Sequence, residues 1–128
     1  MEPALADGDR VEVVPATAAD LEPGDIMVFR AGDELLVHRL LRKDPETFLE
    51  MGDNRTFAGC YPWPARLGKV TTVLRPDGQI DLETLEARSR ARAAAARSLR
   101  RRRVEIFAQS LPGWLLPRLV RTIARRIL

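Results

Sequence analysis

Nucleophiles and metal ligands are what this chain of 128 residues has least of. It holds one cysteine, Cys60, so an internal disulfide framework and a multi-cysteine zinc site are both excluded. Its one histidine, His38, leaves a structural or catalytic zinc short of ligands, and no metal or cofactor is expected. Its serines are Ser89, Ser98 and Ser110, all in the C-terminal part. No apolar run approaches the roughly 18 residues that a transmembrane helix needs. Glu2, Asp7, Asp9 and Glu12 interrupt the N-terminus and speak against a signal peptide. Between Leu82 and Ser110 there is neither glycine nor proline, which leaves that stretch free to be a long helix.

What the chain does have is an uneven distribution of charge. Residues 1–78 hold 9 Lys and Arg against 14 Asp and Glu, a net of −5, while residues 79–128 hold 12 Arg against 4 Asp and Glu, a net of +8. The basic character therefore belongs to the C-terminal part. Such a tail can meet nucleic acid, an anionic membrane or an acidic partner, or it can be a solvated helix face. Two units are expected on this basis, a β domain over 1–78 and a basic helical extension over 79–128.

Within the first unit, apolar residues alternate or cluster in short runs punctuated by turns. Arg10 to Val14 reads as a strand ended by Pro15, and Ala16 to Glu22 as a loop or single turn before Pro23-Gly24-Asp25. Ile26 to Phe29 and Leu35 to Leu41 flank Gly32-Asp33 and read as a hairpin. Thr47 to Met51 is a further strand and Leu67 to Leu74 the last, closed by Pro76-Asp77-Gly78, and Arg55 to Pro64 reads as a packed loop because Pro62 and Pro64 oppose a central strand. In the second unit Leu82 to Ser110 reads as a helix with Asp81 as N-cap. Its expected face is Leu82, Leu85, Ser89, Arg92 and Ala96. Pro112-Gly113 breaks it, and Trp114 to Leu128 follows as a shorter amphipathic helix.

The chemistry centres on Val37-His38-Arg39 and Met51-Gly52-Asp53-Asn54. A histidine and an aspartate, each at the edge of a strand, suggest a general base and its orienting carboxylate, and such a base serves a serine, cysteine or threonine. The blander alternatives are a histidine satisfied in the core and an aspartate capping its own turn. Cys60, between Gly59 and Tyr61, reads chiefly as a buried or half-buried structural thiol, the alternative being a nucleophile with His38 as base.

Six segments occur in order: Met1-Glu2-Pro3-Ala4-Leu5, Gly8-Asp9-Arg10-Val11, Pro23-Gly24-Asp25-Ile26, Val37-His38-Arg39, Met51-Gly52-Asp53-Asn54 and Gly68-Lys69-Val70. Together they resemble the type I signal peptidases and their relatives over residues 1 to about 74, and His38 matches the histidine-base, endoplasmic-reticulum-type variant. The resemblance implies a mainly β fold, a bent and partly barrel-like antiparallel sheet, followed here by C-terminal helices. It implies catalytic roles for His38 and Asp53. It also implies an extended peptide or leader sequence as substrate, bound by strand addition in a groove around Met1, Pro3, Val11, Val13, Leu36 and Val37.

In that family the nucleophile is the serine before the Met-x-Pro box, a position that would precede Met1. The chain as written is accordingly expected to be inactive. Either the true start lies upstream, with any membrane anchor, or the module is a pseudo-enzyme. The rival expectation is a non-catalytic peptide-binding or scaffold module that docks through its basic helices. Residues 114–128 are expected to suit an anionic membrane surface, making the protein membrane-associated or cytoplasmic. Nucleic acid is disfavoured, because the arginine-rich segment lacks interleaved aromatics and a helix-turn-helix signature. Oligomeric state is left open.

Overall fold

The structure, a computed structural model, describes residues 5–53 and 58–109, with side chains in the last helix as far as residue 101. It is mainly β: among the described residues seven strands form one antiparallel sheet, followed by a helix. The strands are β1 (Arg10–Ala16), β2 (Ile26–Ala31), β3 (Glu34–Lys43), β4 (Thr47–Met51), β5 (Gly59–Pro62), β6 (Leu67–Arg75) and β7 (Gly78–Asp81); the helix is α1 (Leu85–Gln109). The spatial order is β1-β6-β2-β3-β4-β5, with β7 attached to β6, and the sheet is open, its path ending at β1 and β5.

The two ends of that path approach a shared core. Leu21, Met27, Phe29, Leu40 and Phe48 are fully or almost fully buried in it. Ala16 and Leu67 pack on it from the β1–β6 side, and Tyr61 and Trp63 from the β5 side, so the sheet bends around this cluster. Its aromatic members meet edge-on or tilted, with Phe29 and Phe48 ring centroids 5.0 Å apart and Phe48 and Trp63 4.8 Å apart, geometries that aromatic quadrupoles favour. Trp63 also donates its indole N–H to the Asp44 carbonyl at 2.8 Å.

The opposite face is partly covered by α1. Leu41, Leu49 and Ala95 form a second small core, with Met51, Ala58 and Leu99 around it. A register shift between Leu40 and Arg42 inserts Leu41 as an extra residue in β3. Leu40 and Leu41 serve the two cores because neighbours in a strand face opposite sides, and the bulge then pairs Arg42 with Leu49. Farther along β2 and β3 the same face carries Val28, Leu35 and Val37, and the last two are exposed.

Several boundaries differ from the expectations. β1 continues through Pro15 to Ala16, which an edge strand tolerates because its outer N–H row needs no partner. Gly59–Pro62 pairs with β4 as an edge strand where a loop was expected. Pro76-Asp77 is the turn of a hairpin, Gly78 taking φ 146°, and β7 follows it. The helix starts at Leu85 with Thr84 as its cap: the Thr84 hydroxyl accepts the Ala87 N–H at 3.2 Å, while Asp81 accepts the Glu83 N–H at 2.8 Å just before the helix. The line that meets the sheet is half-buried Ala91, buried Ala95 and half-buried Leu99; of the expected line Leu85, Ser89, Arg92 and Ala96 are exposed and Leu82 is half-buried. The cause is close approach. A Cβ on Gly24 would lie 2.6 Å from the Ala91 carbonyl carbon and 2.7 Å from the Arg92 nitrogen, so the helix side that meets the sheet carries alanines. The expected second helix, Trp114 to Leu128, lies outside the described residues.

Candidate functional site

His38 stands in β3 directly opposite Met27 of β2, on the face that carries Phe29, Leu40 and Phe48. Its ring lies edge-on to Phe29, with centroids 6.5 Å apart. The β3–β4 register pairs Leu40 with Glu50, which puts Glu50 diagonally across from His38 on the same face. A diagonal cross-strand pair is within reach of long side chains, and here the Glu50 carboxylate meets the imidazole, Oε2 against Nδ1. The two side chains are 11% and 5% exposed. Nδ1 and Oε2 are buried and have no other hydrogen-bond partner among the described residues, so each depends on the other.

Space for the carboxylate comes from β5. Gly59 is the direct partner of Glu50. A Cβ at Gly59 would collide with Glu50 Oε1 and would lie 2.6 Å from Tyr61 Cε2.

Asp53 takes a different partner from the one expected. Arg39 donates Nε–H to Asp53 Oδ1 and Nη2–H to Oδ2, each at 2.8 Å, and Nη1–H to the Gly24 carbonyl at 2.8 Å. Arg39 neighbours His38 in β3 and so points to the other face. Arg39, to which sequence reasoning assigned no chemistry, thus ties the Gly52-Asp53 turn to the turn before β2. Glu50 was also missed. The available signal was its period: an acidic residue at 50 shares a strand face with Phe48, so it is buried there and needs a partner.

The expected binding residues are dispersed. Leu36 is half-buried on the His38 side of β3, while Val37 faces the other way and is exposed. Val11 and Val13 lie in β1, opposite Val73 and Val70 of β6, with a bulge between Glu12 and Val13. Gly68 makes room for Val13, whose Cγ1 lies where a Cβ would stand. Met1 and Pro3 lie outside the described residues. Cys60, expected to be buried or half-buried, is instead a free, exposed thiol on β5.

A second polar cluster joins sheet and helix. Lys69 contacts Asp25 at 3.4 Å and Glu83 at 3.0 Å. Burial pulls its ammonium pKa down, but the hydrogen bond to Glu83 and the two carboxylate charges outweigh that and leave it raised. Glu22 accepts from Arg92 at 2.9 Å and from Arg88 at 3.1 Å, and these guanidiniums, Arg92 first, hold its carboxyl below the usual range. Among the described residues no group of His, Cys, Asp and Glu could hold a metal ion, and no helix is long and apolar enough to cross a membrane.

Comparison with protein families, with curated proteins and with solved structures found no match to this chain.

Proposed function

We propose that this chain is the body of a signal-peptidase-like serine endopeptidase of the histidine-base type, acting on an extended peptide or leader sequence. The observation that carries the reading is the setting of His38: the chain's one imidazole is held in a rigid sheet with Nδ1 against a buried carboxylate. That is what a general base requires, a fixed ring whose second nitrogen is left to take a proton. The ordered segments that surround His38 and Asp53 add to it.

The nucleophile in this reading is a serine immediately before Met1. Its Oγ bonds to the scissile carbonyl carbon while its proton passes to His38 Nε2. The imidazolium then returns that proton to the departing amine nitrogen as the C–N bond breaks, which leaves an acyl-enzyme for water to hydrolyse. The substrate backbone would extend along the outer edge of β1, which among the described residues pairs with β6 alone. Peripheral attachment to an anionic membrane through residues 114–128 would bring leader sequences to it.

One observation favours a second reading for a chain that lacks that serine. Ser89 and Ser98 lie on α1, which covers the sheet face opposite to His38, so neither is placed as a nucleophile. The module would then be a pseudo-peptidase that binds peptides or serves as a scaffold.

The test compares the chain beginning at Met1 with one carrying a serine and a few residues before it, both incubated with a leader peptide. Cleavage is expected only from the second, and His38→Ala should lower its kcat by about 10³-fold or more. Cleavage indifferent to His38→Ala, or none at all from the serine-bearing chain, removes the peptidase reading. Binding of the leader peptide without cleavage would then support the scaffold.

A further inference from the structure

We infer that Glu50, seated in the notch left by Gly59, is the residue that positions His38, and that Asp53 does not share this task but fixes the neighbouring turn through Arg39. What the positioned imidazole does rests on the peptidase reading; the positioning itself does not.

The two carboxylates reach different partners. Glu50 is on the His38 face, diagonal to it across the β3–β4 ladder, and its Oε2 meets Nδ1. Asp53 has both oxygens engaged by Arg39, whose side chain leaves β3 on the opposite face. A buried imidazole nitrogen beside a carboxylate oxygen carries its proton there, since Nδ1–H donates and the carboxylate can only accept. This selects the tautomer with Nδ1 protonated and Nε2 bare. It is the form that accepts a proton from a hydroxyl, and the carboxylate then stabilises the imidazolium that results. Free imidazole side chains favour the opposite tautomer, with Nε2 protonated, so the preference must be imposed by the fold.

Gly59 completes the arrangement. Any other residue would put a Cβ on Glu50 Oε1 and crowd Tyr61. The carboxylate is therefore clamped between β3 and β5, and it is 5% exposed, with little water to compete for Oε2. Position 50 needs a side chain long enough to cross the ladder diagonally, and position 59 needs none at all.

The experiment uses the full chain and reads the ring directly. Imidazole ¹⁵N shifts, at a pH where the ring is neutral, distinguish a protonated Nδ1 from a bare one. The full chain is expected to show His38 with Nδ1 protonated and Nε2 bare. Glu50→Leu, which keeps the apolar packing of a buried site, should flip it to the Nε2–H form, and Gly59→Ala should shift it in the same direction. Glu50→Gln keeps an accepting oxygen and should retain the Nδ1–H form, while Asp53→Asn should leave the ring unchanged. Far-ultraviolet circular dichroism shows whether each variant is folded; should Glu50→Leu fail to fold, Gly59→Ala and the full chain still decide. A ring that is Nε2-protonated in the full chain, a tautomer indifferent to both Glu50→Leu and Gly59→Ala, or one that moves with Asp53→Asn overturns the inference.

In the serine-bearing chain, Glu50→Gln should lower kcat by about 10²-fold or more, with KM changed little, because the tautomer survives but the charge opposite the imidazolium is gone. An unchanged kcat there overturns the catalytic part of the inference. If the serine-bearing chain never cleaves while the ¹⁵N pattern is as expected, the peptidase reading fails and the positioning stands.

Discussion

Arg39 shows how a charged residue is accommodated inside a small sheet. Its side chain is 8% exposed, and the carboxylate that balances it, Asp53, is 26% exposed. The asymmetry predicts unequal effects. Asp53→Ala leaves a buried cation without its carboxylate and should lower stability by about 3–5 kcal/mol. Arg39→Met removes the cation, keeps much of the volume and leaves the partly exposed Asp53 to water, so it should cost less. Urea denaturation midpoints, compared at similar m-values, measure both. Equal losses would mean that the guanidinium is not the costly partner.

At the scale of elements, the docking of α1 depends on what is missing from Gly24. Its φ is +103°, and a Cβ there would fall within 2.6–2.8 Å of the Ala91 and Arg92 backbone. Gly24→Ala should therefore combine backbone strain with overpacking, a loss of about 2–4 kcal/mol. It should also increase amide exchange in α1 around Ala91 and Ala95 more than in β3, which a hydrogen-exchange comparison can show. On the other face, Phe48→Ala removes a fully buried ring that contacts Phe29, Tyr61 and Trp63 and should cost about 3–5 kcal/mol. Alternation and turn residues marked β1, β2, β3, β4 and β6 locally, whereas Pro62 and Pro64 hid β5 and no strand was expected after Leu74, where β7 lies. The helix face was not, because Ala91 and Ala95 outrank Leu85 only once Gly24 brings the backbones together. Glu50 was overlooked for a similar reason, since its partner His38 lies twelve residues away in sequence and becomes a neighbour only through the β3–β4 register.

For the whole molecule, hydrogen bonds and ion pairs that shift carboxyl and ammonium groups make stability depend on pH. Arg75 donates to Asp9 and, with the Ala6 N–H, holds the Asp9 carboxyl below its ordinary value; Thr17 does the same for Asp20, and Arg92 and Arg88 for Glu22. A depressed carboxyl contributes stability above its unfolded pKa, and that contribution is lost as pH falls through the folded value. Lys69 behaves in the opposite sense. With its folded pKa raised, its contribution is complete below the ordinary lysine value and disappears as pH rises through the folded one. Thermal unfolding against pH should thus show a plateau with an acid and an alkaline limb. Asp9→Asn should flatten the first and Lys69→Met the second; limbs unchanged by these substitutions would place the titrating groups elsewhere. Liposome co-sedimentation should show salt-sensitive binding of the full chain to acidic vesicles and none for a chain ending at Leu111. Equal behaviour of the two chains would remove residues 114–128 from the interaction.

The sequence by itself determined the mainly β character, the hairpin at Gly32-Asp33, the change to helix near residue 82 and the absence of cysteine and histidine clusters, because each is set by local periodicity, turn chemistry or composition. It also marked His38 as the residue to watch. Only the tertiary structure decided which carboxylate meets that imidazole, which arginine holds Asp53 and which line of α1 is buried. Those choices depend on register and on how closely two backbones approach. A bulge at Leu41, a notch at Gly59 and a positive φ at Gly24 set them, and each takes its meaning from a partner far away along the chain.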